Sequence, residues 1–234
     1  MASFRIIPFD TTSLEKIVKE KSHDQLRSAG PNGHLPYFND YLKAIGTVTV
    51  VVEEEYIDHD FLEDFSAYYV RCFTAYQKTC SRLHFFSHEF DEGYFSKILK
   101  GEIKPNSLQN NYLGFVVVKP LPNTVIGRTC LVNYPSNGNR DRKFPVLNEI
   151  VAHLFGIRLT VMSQPFQEQD TEVAACASSA LWSVFHGTGR LFQHSIPSPV
   201  ESLRTTNRRV APATIGPSAS DSVAGNSTIC DMTC

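Results

Sequence analysis

Residues 111–134, NYLGFVVVKPLPNTVIGRTCLVNY, decide the fold class of this chain. Residues 112–119 form a run of β-branched and aromatic side chains, which predicts a strand, and residues 125–132 predict a second one. Pro120 and Pro122 separate the two because proline cannot donate a hydrogen bond to a strand ladder. We therefore expect two strands that pair as neighbours in one sheet.

Other segments add strands and helices around this pair. The stretch GTVTVVVEEE at 46–55 predicts a buried strand, and residues 147–162 predict a short element followed by the strand IRLTVM. Helices are expected at residues 12–21, at 92–100 before Gly101, and at 60–83, where apolar residues recur at three- and four-residue spacing. Residues 28–39, rich in Gly, Pro and Asn, predict a loop.

These elements together predict an α+β fold. Residues 1–165 are expected to form a mixed α/β module of unknown role, with roughly four strands in an at least partly antiparallel sheet. The composition, 42% hydrophobic and 20% charged over 234 residues, is that of a globular protein with a sizeable core. The formal net charge of −2 gives no electrostatic reason to expect a nucleic acid or an anionic membrane as partner. Neither a signal-peptide core nor a run of about 18 apolar residues is present, so we expect a cytoplasmic protein.

The six cysteines are too sparse and irregular for a disulfide scaffold. We expect Cys72, Cys80 and Cys130 to be reduced and buried as small apolar side chains. Cys80, His84 and His88 would share one face of a helix, as a zinc site requires, but no fourth ligand follows. Phosphate-binding glycine loops are also absent, so we expect neither a metal nor a cofactor.

An acidic stretch lies between the strand at 46–55 and the helix that follows. Carboxylates are favoured at a helix N-terminus, and Asp58 or Asp60 is the expected cap. We interpret the stretch as a solvated helix N-terminus rather than as a general acid/base or cation site. Its members are Glu53, Glu54, Glu55, Asp58 and Asp60.

The stretch FQEQDTEVAACASSALWSVF at 166–185 carries the clearest chemical signal. Cys176 precedes small and apolar residues that predict a buried helix over 173–185, which Gly187 and Gly189 are expected to end. The free N–H groups and the dipole at a helix N-terminus stabilise a thiolate. Gln169, seven residues upstream, carries an amide that can donate a hydrogen bond to an oxyanion.

This stretch resembles the active-site segment of papain-like cysteine peptidases, and most closely that of the C39-like, bacteriocin-processing branch. The resemblance covers residues 163–201 and implies that Cys176 is the nucleophile and Gln169 the oxyanion donor, with Gln167 as a second candidate for that donor. It also implies that residues 166–204 are the first, helical part of a papain-like lobe and that the substrate is a peptide or protein. Two features depart from the family pattern: Ala177 follows the cysteine instead of glycine, and the spacing from Gln169 is one residue longer than usual.

The family places its histidine base and the Asn or Asp that orients it far beyond the cysteine. Here only 234 − 176 = 58 residues follow Cys176. His186 would lie about 15 Å further along the same helix, and His194 is expected in a loop. We therefore expect a chain that lacks the His/Asn lobe, a truncated hydrolase domain that is inactive alone.

The residues after 198 predict a helix start and then an unstructured tail. Ser198 and Glu201 form a capping box, with Pro199 at the first helical position. Residues 205–234 contain no Phe, Tyr or Trp and are expected to be a disordered, low-complexity segment. Two other functions stay open: a non-catalytic protein-interaction module of α/β fold, and a thiol acyltransferase or deamidase. The oligomeric state is open too.

Overall fold

The structure, a computed structural model, describes residues 4–21, 34–72, 75–121, 124–135, 143–169 and 176–202. The predicted tail at 205–234 lies outside these ranges. The described helices are α1 (Thr11–Lys21), α2 (His34–Ala44), α3 (His59–Ala67), α4 (Glu92–Leu99), α5 (Asn106–Asn110) and α6 (Cys176–Phe192), with a 3-10 turn at Tyr69–Arg71. The described strands are β1 (Phe4–Pro8), β2 (Thr49–Tyr56), β3 (Cys80–Phe86), β4 (Tyr112–Val118), β5 (Ile126–Leu131), β6 (Asn148–Leu154) and β7 (Ile157–Ser163).

Five strands form one antiparallel sheet in the order β1-β2-β3-β4-β5, and β6 and β7 form a separate antiparallel hairpin. The fold is therefore α+β, as predicted. The predicted pairing of the two strands in residues 111–134 is confirmed, because β4 and β5 are neighbours with Phe115 opposite Cys130.

The five-stranded sheet is covered on both faces. One face packs on α1 and α2 through a cluster that includes Val18, Leu42, Val50, Leu83 and Phe85. The other face packs on the β6–β7 hairpin and on α3, α4 and α5; here the buried side chains include Val51, Phe61, Phe95, Leu108 and Leu159. Because both faces are covered, the central strand β3 is buried along its whole length and does not alternate between buried and exposed residues.

Several local predictions are confirmed. Helix α1 begins one residue before the predicted start, and α4 is capped by Asp91, whose carboxylate accepts a hydrogen bond from Tyr94 N at 2.7 Å. The capping box after α6 is formed, since Glu201 N donates to Ser198 Oγ at 3.3 Å and Ser198 N donates to Glu201 Oε2 at 3.4 Å. Cys80 and Cys130 are fully buried, while Cys72 is half-buried.

The predicted helix over 60–83 is wrong. Helix α3 ends at Ala67, and Cys80 begins β3, which is buried along its whole length in the middle of the sheet. A strand covered on both faces lacks the period of two that identifies a half-buried strand, so its apolar residues also fit the helical pattern.

Three further predictions are wrong for separate physical reasons. Residues 34–39 belong to α2, because Pro36 lies in the first helical turn, where no N–H is needed. Helix α6 continues through Gly187 and Gly189 to Phe192. At both positions the absence of a side chain leaves space for a neighbouring residue. A Cβ would lie 3.4 Å from Val146 at Gly187 and 3.0 Å from Ile196 at Gly189. The described strands number seven rather than roughly four, because β1 and β6 give no separate signal and β3 lies within the segment predicted as a helix.

Among the described residues, none of the helices has the length and apolar character that a membrane span requires.

Candidate functional site

The segment that leads to α6 is bound to the edge of the sheet. Phe166 and Thr129 of β5 exchange two backbone hydrogen bonds, at 2.7 and 3.1 Å. Glu168 N donates to Ile126 O at 3.0 Å, and the Glu168 carboxylate accepts from Ile126 N at 3.0 Å. Residues 166–168 thus act as a short extra strand along β5, which fixes the chain immediately before the predicted oxyanion donor.

The two candidate glutamines have different environments. Gln167 is buried, and its Nε2 has no hydrogen-bond acceptor among the described residues. The antiparallel pairing of Phe166 with Thr129 sets Gln167 opposite Arg128, on the same face of the sheet. Gln169 is exposed and is the last described residue before α6. Residues 170–175, which connect it to Cys176, lie outside the described ranges.

Helix α6 is described over Cys176–Phe192, so the predicted nucleophile is its first described residue. Ser178, Ser179 and Trp182 form its buried face. The helix is held against the sheet domain by Gln164, whose Nε2 donates to Ser183 O at 2.5 Å. Ser178 and Ser179 therefore pack inward, whereas Ala177 and Ala180 are exposed, so α6 is buried on one face and not as a whole, contrary to the prediction.

The two histidines downstream of Cys176 lie away from it. His186 stacks edge-on against Trp182, with ring centroids 4.4 Å apart, about 15 Å along the helix axis from Cys176. Burial lowers the pKa of His186 to about 4, with a smaller contribution from the charge of Arg128. His194 lies beyond the helix, with Nε2 3.0 Å from Thr188 Oγ1. Neither imidazole is placed to accept the proton of the Cys176 thiol.

Arg128 is the centre of a polar group of side chains that we call the Arg128 cluster. The cluster comprises Arg128, Asp58, Asp60, Gln167, Trp182 and His186. The Arg128 guanidinium donates to Asp58 Oδ2 at 2.8 Å and to the Tyr56 hydroxyl at 3.2 Å. Burial alone would lower the pKa of Arg128, but the neighbouring Asp58 raises it above its ordinary value. Burial and the charge of Asp58 raise the pKa of Asp60.

These contacts correct the interpretation of the acidic stretch as a solvated helix end. Asp58 caps α3 by accepting a hydrogen bond from Phe61 N at 3.1 Å, but its side chain is only 3% exposed and is paired with Arg128. Glu53 and Glu54 are also paired, with Arg82 and Arg5 respectively. The stretch therefore anchors strands and helix to one another.

A second polar group lies inside the same face of the sheet. Arg82 donates to Glu53 Oε2 at 2.7 Å and to His153 O at 2.6 Å, which ties the sheet to the β6–β7 hairpin. His84 is fully buried, with Nδ1 2.9 Å from the Tyr112 hydroxyl and Nε2 3.5 Å from Glu53 Oε2. Burial lowers the pKa of His84 to about 4, so this imidazole is neutral near pH 7.

The His84 environment predicts that the protein loses stability in mild acid. The unfolded chain takes up the histidine proton near pH 6.5, but the folded protein does not until about pH 4, so stability falls as the pH decreases between these values. We expect His84 alone to contribute a loss of about 3 kcal/mol between pH 7 and pH 4. Urea unfolding of the wild type and of His84→Gln at a series of pH values measures this loss of stability.

His186 titrates in the same direction in both proteins and cancels in this comparison. A pH dependence that is equally steep in His84→Gln would contradict the assignment to His84.

The strand geometry argues against the Cys80, His84 and His88 zinc arrangement. Four residues along β3 separate Cys80 from His84 by about 13 Å, too far for both to bind one ion. Within the described ranges, no group of three His, Cys, Asp or Glu side chains could hold a metal ion.

Sequence reasoning missed Arg128 and Trp182 as members of a site. Each carries a weak signal: Arg128 is a charged residue within a predicted strand, and Trp182 is the only tryptophan of the chain. Their proximity depends on how the 166–168 segment pairs with β5, which a sequence pattern does not specify.

Comparison with known proteins gives no relative: no family model, no curated protein and no solved structure matches this chain.

Proposed function

We propose that this chain is a relative of papain-like cysteine peptidases of the C39-like branch, with Cys176 as the thiol nucleophile, Gln169 as the oxyanion donor and a peptide or protein as substrate. The observation that carries the proposal is the position of Cys176 at the N-terminal end of α6. At that position the free backbone N–H groups and the helix dipole favour the thiolate, which is the reactive form.

The surroundings of α6 support this role. The 166–168 segment is hydrogen-bonded to β5, and Gln164 binds Ser183 O, so the chain before Gln169 and the middle of α6 are both attached to the sheet domain. Such attachment is what a nucleophile and its oxyanion donor need in order to keep a fixed geometry. Gln169 is exposed, as an oxyanion donor at the surface must be.

The same geometry limits the chemistry that the chain performs alone. His186 and His194 are both remote from Cys176, so no described imidazole after the cysteine serves as its general base. We therefore propose a thiol that attacks an activated carbonyl but does not turn over peptide bonds without a base from elsewhere.

Alkylation by iodoacetamide tests the nucleophile. Over pH 5 to 9 we expect Cys176 to react with an inflection below pH 8. Cys130, whose thiol pKa burial raises to about 12, serves as the internal reference. At pH 7 Cys176 should react at least about 100-fold faster than Cys130, measured by mass spectrometry of the two peptides. Equal, slow reaction of both would reject the proposal.

A peptide aldehyde tests the oxyanion donor separately. The Cys176 sulfur adds to the aldehyde carbon, the carbonyl π bond breaks, and the thiol proton ends on the resulting oxygen, so a hemithioacetal forms. Gln169→Ala should weaken this adduct by about 10- to 100-fold, because a hydrogen bond to the developing charge is lost. Its iodoacetamide rate should stay unchanged, because alkylation forms no oxyanion.

A non-catalytic interaction module is the second candidate, and one observation favours it. The outward face of α6 exposes large apolar side chains: Leu181 is 39% exposed, Val184 53%, Leu191 76% and Phe192 74%. Apolar surface of this kind is typical of a partner contact. A slow Cys176 would make this the leading candidate, whereas a fast thiol with turnover of thioesters or glutamine amides would favour an acyltransferase or deamidase.

A further inference from the structure

The Arg128 cluster contains several buried polar atoms that have no hydrogen-bond partner among the described residues. They are Arg128 Nε, Gln167 Nε2, Trp182 Nε1, His186 Nε2 and Asp60 Oδ2. Trp182 is fully buried, and Gln167 and Asp60 are each only 8% exposed. Buried polar groups are nearly always paired, so a concentration of unpaired ones needs an explanation.

Three elements bring these atoms together. Arg128 is on β5, and the pairing of Phe166 with Thr129 sets Gln167 opposite it. Gln164 binds α6 over this edge through Ser183 O, and the buried face of α6 presents Trp182 and His186 in mutual contact. The charge of Arg128 also contributes to the low pKa of His186.

Most of the unpaired atoms are hydrogen-bond donors. The indole Nε1, the amide Nε2 and the guanidinium Nε each carry N–H and have no acceptor lone pair. His186 is neutral near pH 7 and donates or accepts according to its tautomer. A ligand that satisfies the group must therefore supply acceptor oxygens.

The charges of the cluster determine whether a carboxylate or a phosphate fits it better. Arg128 is already paired with Asp58 at 2.8 Å, which leaves little excess positive charge. The guanidinium binds Asp58 and Tyr56 through Nη2, so its Nε–H remains for a further acceptor. A monoanionic carboxylate adds less negative charge beside Asp58 than a dianionic phosphate does.

We propose that the Arg128 cluster binds a carboxylate group of a small molecule or peptide, held by the N–H groups of Arg128, Gln167 and Trp182. The Arg128 side chain is 22% exposed, so this member of the cluster contacts solvent. Cys176 is not among these groups, so the proposal does not rest on the proposed thiol chemistry.

The single tryptophan makes the proposal directly measurable. Trp182 is the only source of indole fluorescence in the chain, and its Nε1 belongs to the site. Titration with sodium acetate at constant ionic strength should shift its emission saturably, with a dissociation constant in the millimolar range that is typical of so small a ligand. Acetamide, which has the same shape but no charge, should give no saturable shift, and phosphate should bind more weakly than acetate.

Three variants test whether acetate binds at the Arg128 cluster. Gln167→Glu replaces an amide donor by a second carboxylate and should weaken acetate binding at least about tenfold through repulsion. Gln77→Glu makes the same charge change at an exposed residue and should leave the acetate affinity as in the wild type. Cys176→Ala should also bind acetate normally, so a failure of the thiol proposal and a failure of this one are distinguishable.

Several outcomes would overturn the proposal. These are an equal response to acetate and acetamide, tighter binding of phosphate than of acetate, and unchanged affinity in a folded Gln167→Glu variant. A crystal structure grown in acetate that shows only ordered water at these atoms would also reject it, since a polar site of this kind accommodates water too.

Discussion

Replacement of Gly114 by alanine is expected to remove most of the stability of the fold. Gly114 is in β4, pairs with Leu131 of β5 and has a φ of +116°, which L-residues with a side chain rarely adopt. A Cβ there would overlap the carbonyl oxygen of Cys130 and lie 2.8 Å from the Cα of Leu131. Both obstacles are backbone atoms of the neighbouring strand, so β4 and β5 must separate. We expect a loss of at least about 4 kcal/mol, measured by urea unfolding.

Gly101→Ala is the matched control for this experiment. Gly101 has a φ of +78°, also in the left-handed region, but no neighbouring atom lies within 4 Å of the position that a Cβ would take there. Only the backbone strain remains, which should cost about 1 kcal/mol. If Gly114→Ala were no more destabilising than Gly101→Ala, close packing of β4 against β5 would not explain the glycine.

The two strands around Gly114 show which parts of the fold the sequence predicts. Strands β4 and β5 are β-branched runs bounded by prolines, and this local pattern is sufficient to identify them and their pairing. Strand β3 is covered on both faces and contains Arg82 and His84 among its apolar residues, so neither alternation nor composition distinguishes it from a helix. Its identity depends on β2 and β4 on either side, which is information from the tertiary structure.

The two candidate sites also differ in how well the sequence predicts them. Cys176 and Gln169 can be identified from the sequence because they belong to one short stretch with a recognisable pattern. The Arg128 cluster joins residues from Asp58 to His186, which the Arg128–Asp58 ion pair and the pairing of β5 with the 166–168 segment bring together. A pattern within a single segment cannot report such a group. The one indication in the sequence is Arg128 itself, because a charged residue within a predicted strand needs a partner for its charge.

The Arg128–Asp58 pair should be the most sensitive charged contact that the structure describes. Asp58 is 3% exposed in its side chain and also caps α3, so removal of the guanidinium leaves a buried carboxylate without its counter-charge. We expect Arg128→Met, which keeps much of the side-chain volume, to cost about 3–5 kcal/mol in urea unfolding. Arg190→Met removes an exposed arginine that lies 3.8 Å from Glu149, and it should change stability by less than about 0.5 kcal/mol.

The double variant Arg128→Met, Asp58→Asn separates the two possible reasons for this loss. Asparagine remains a good helix cap, so it preserves the hydrogen bond from Phe61 N while it removes the buried charge. If the unpaired carboxylate is what destabilises Arg128→Met, the double variant should regain more than half of the lost free energy of unfolding. If the loss instead comes from the guanidinium's packing against the Phe115 ring, whose centroid lies 5.9 Å away, the double variant should be no more stable than Arg128→Met. We expect the first result, because a buried charge without a partner costs more than a distant ring contact supplies.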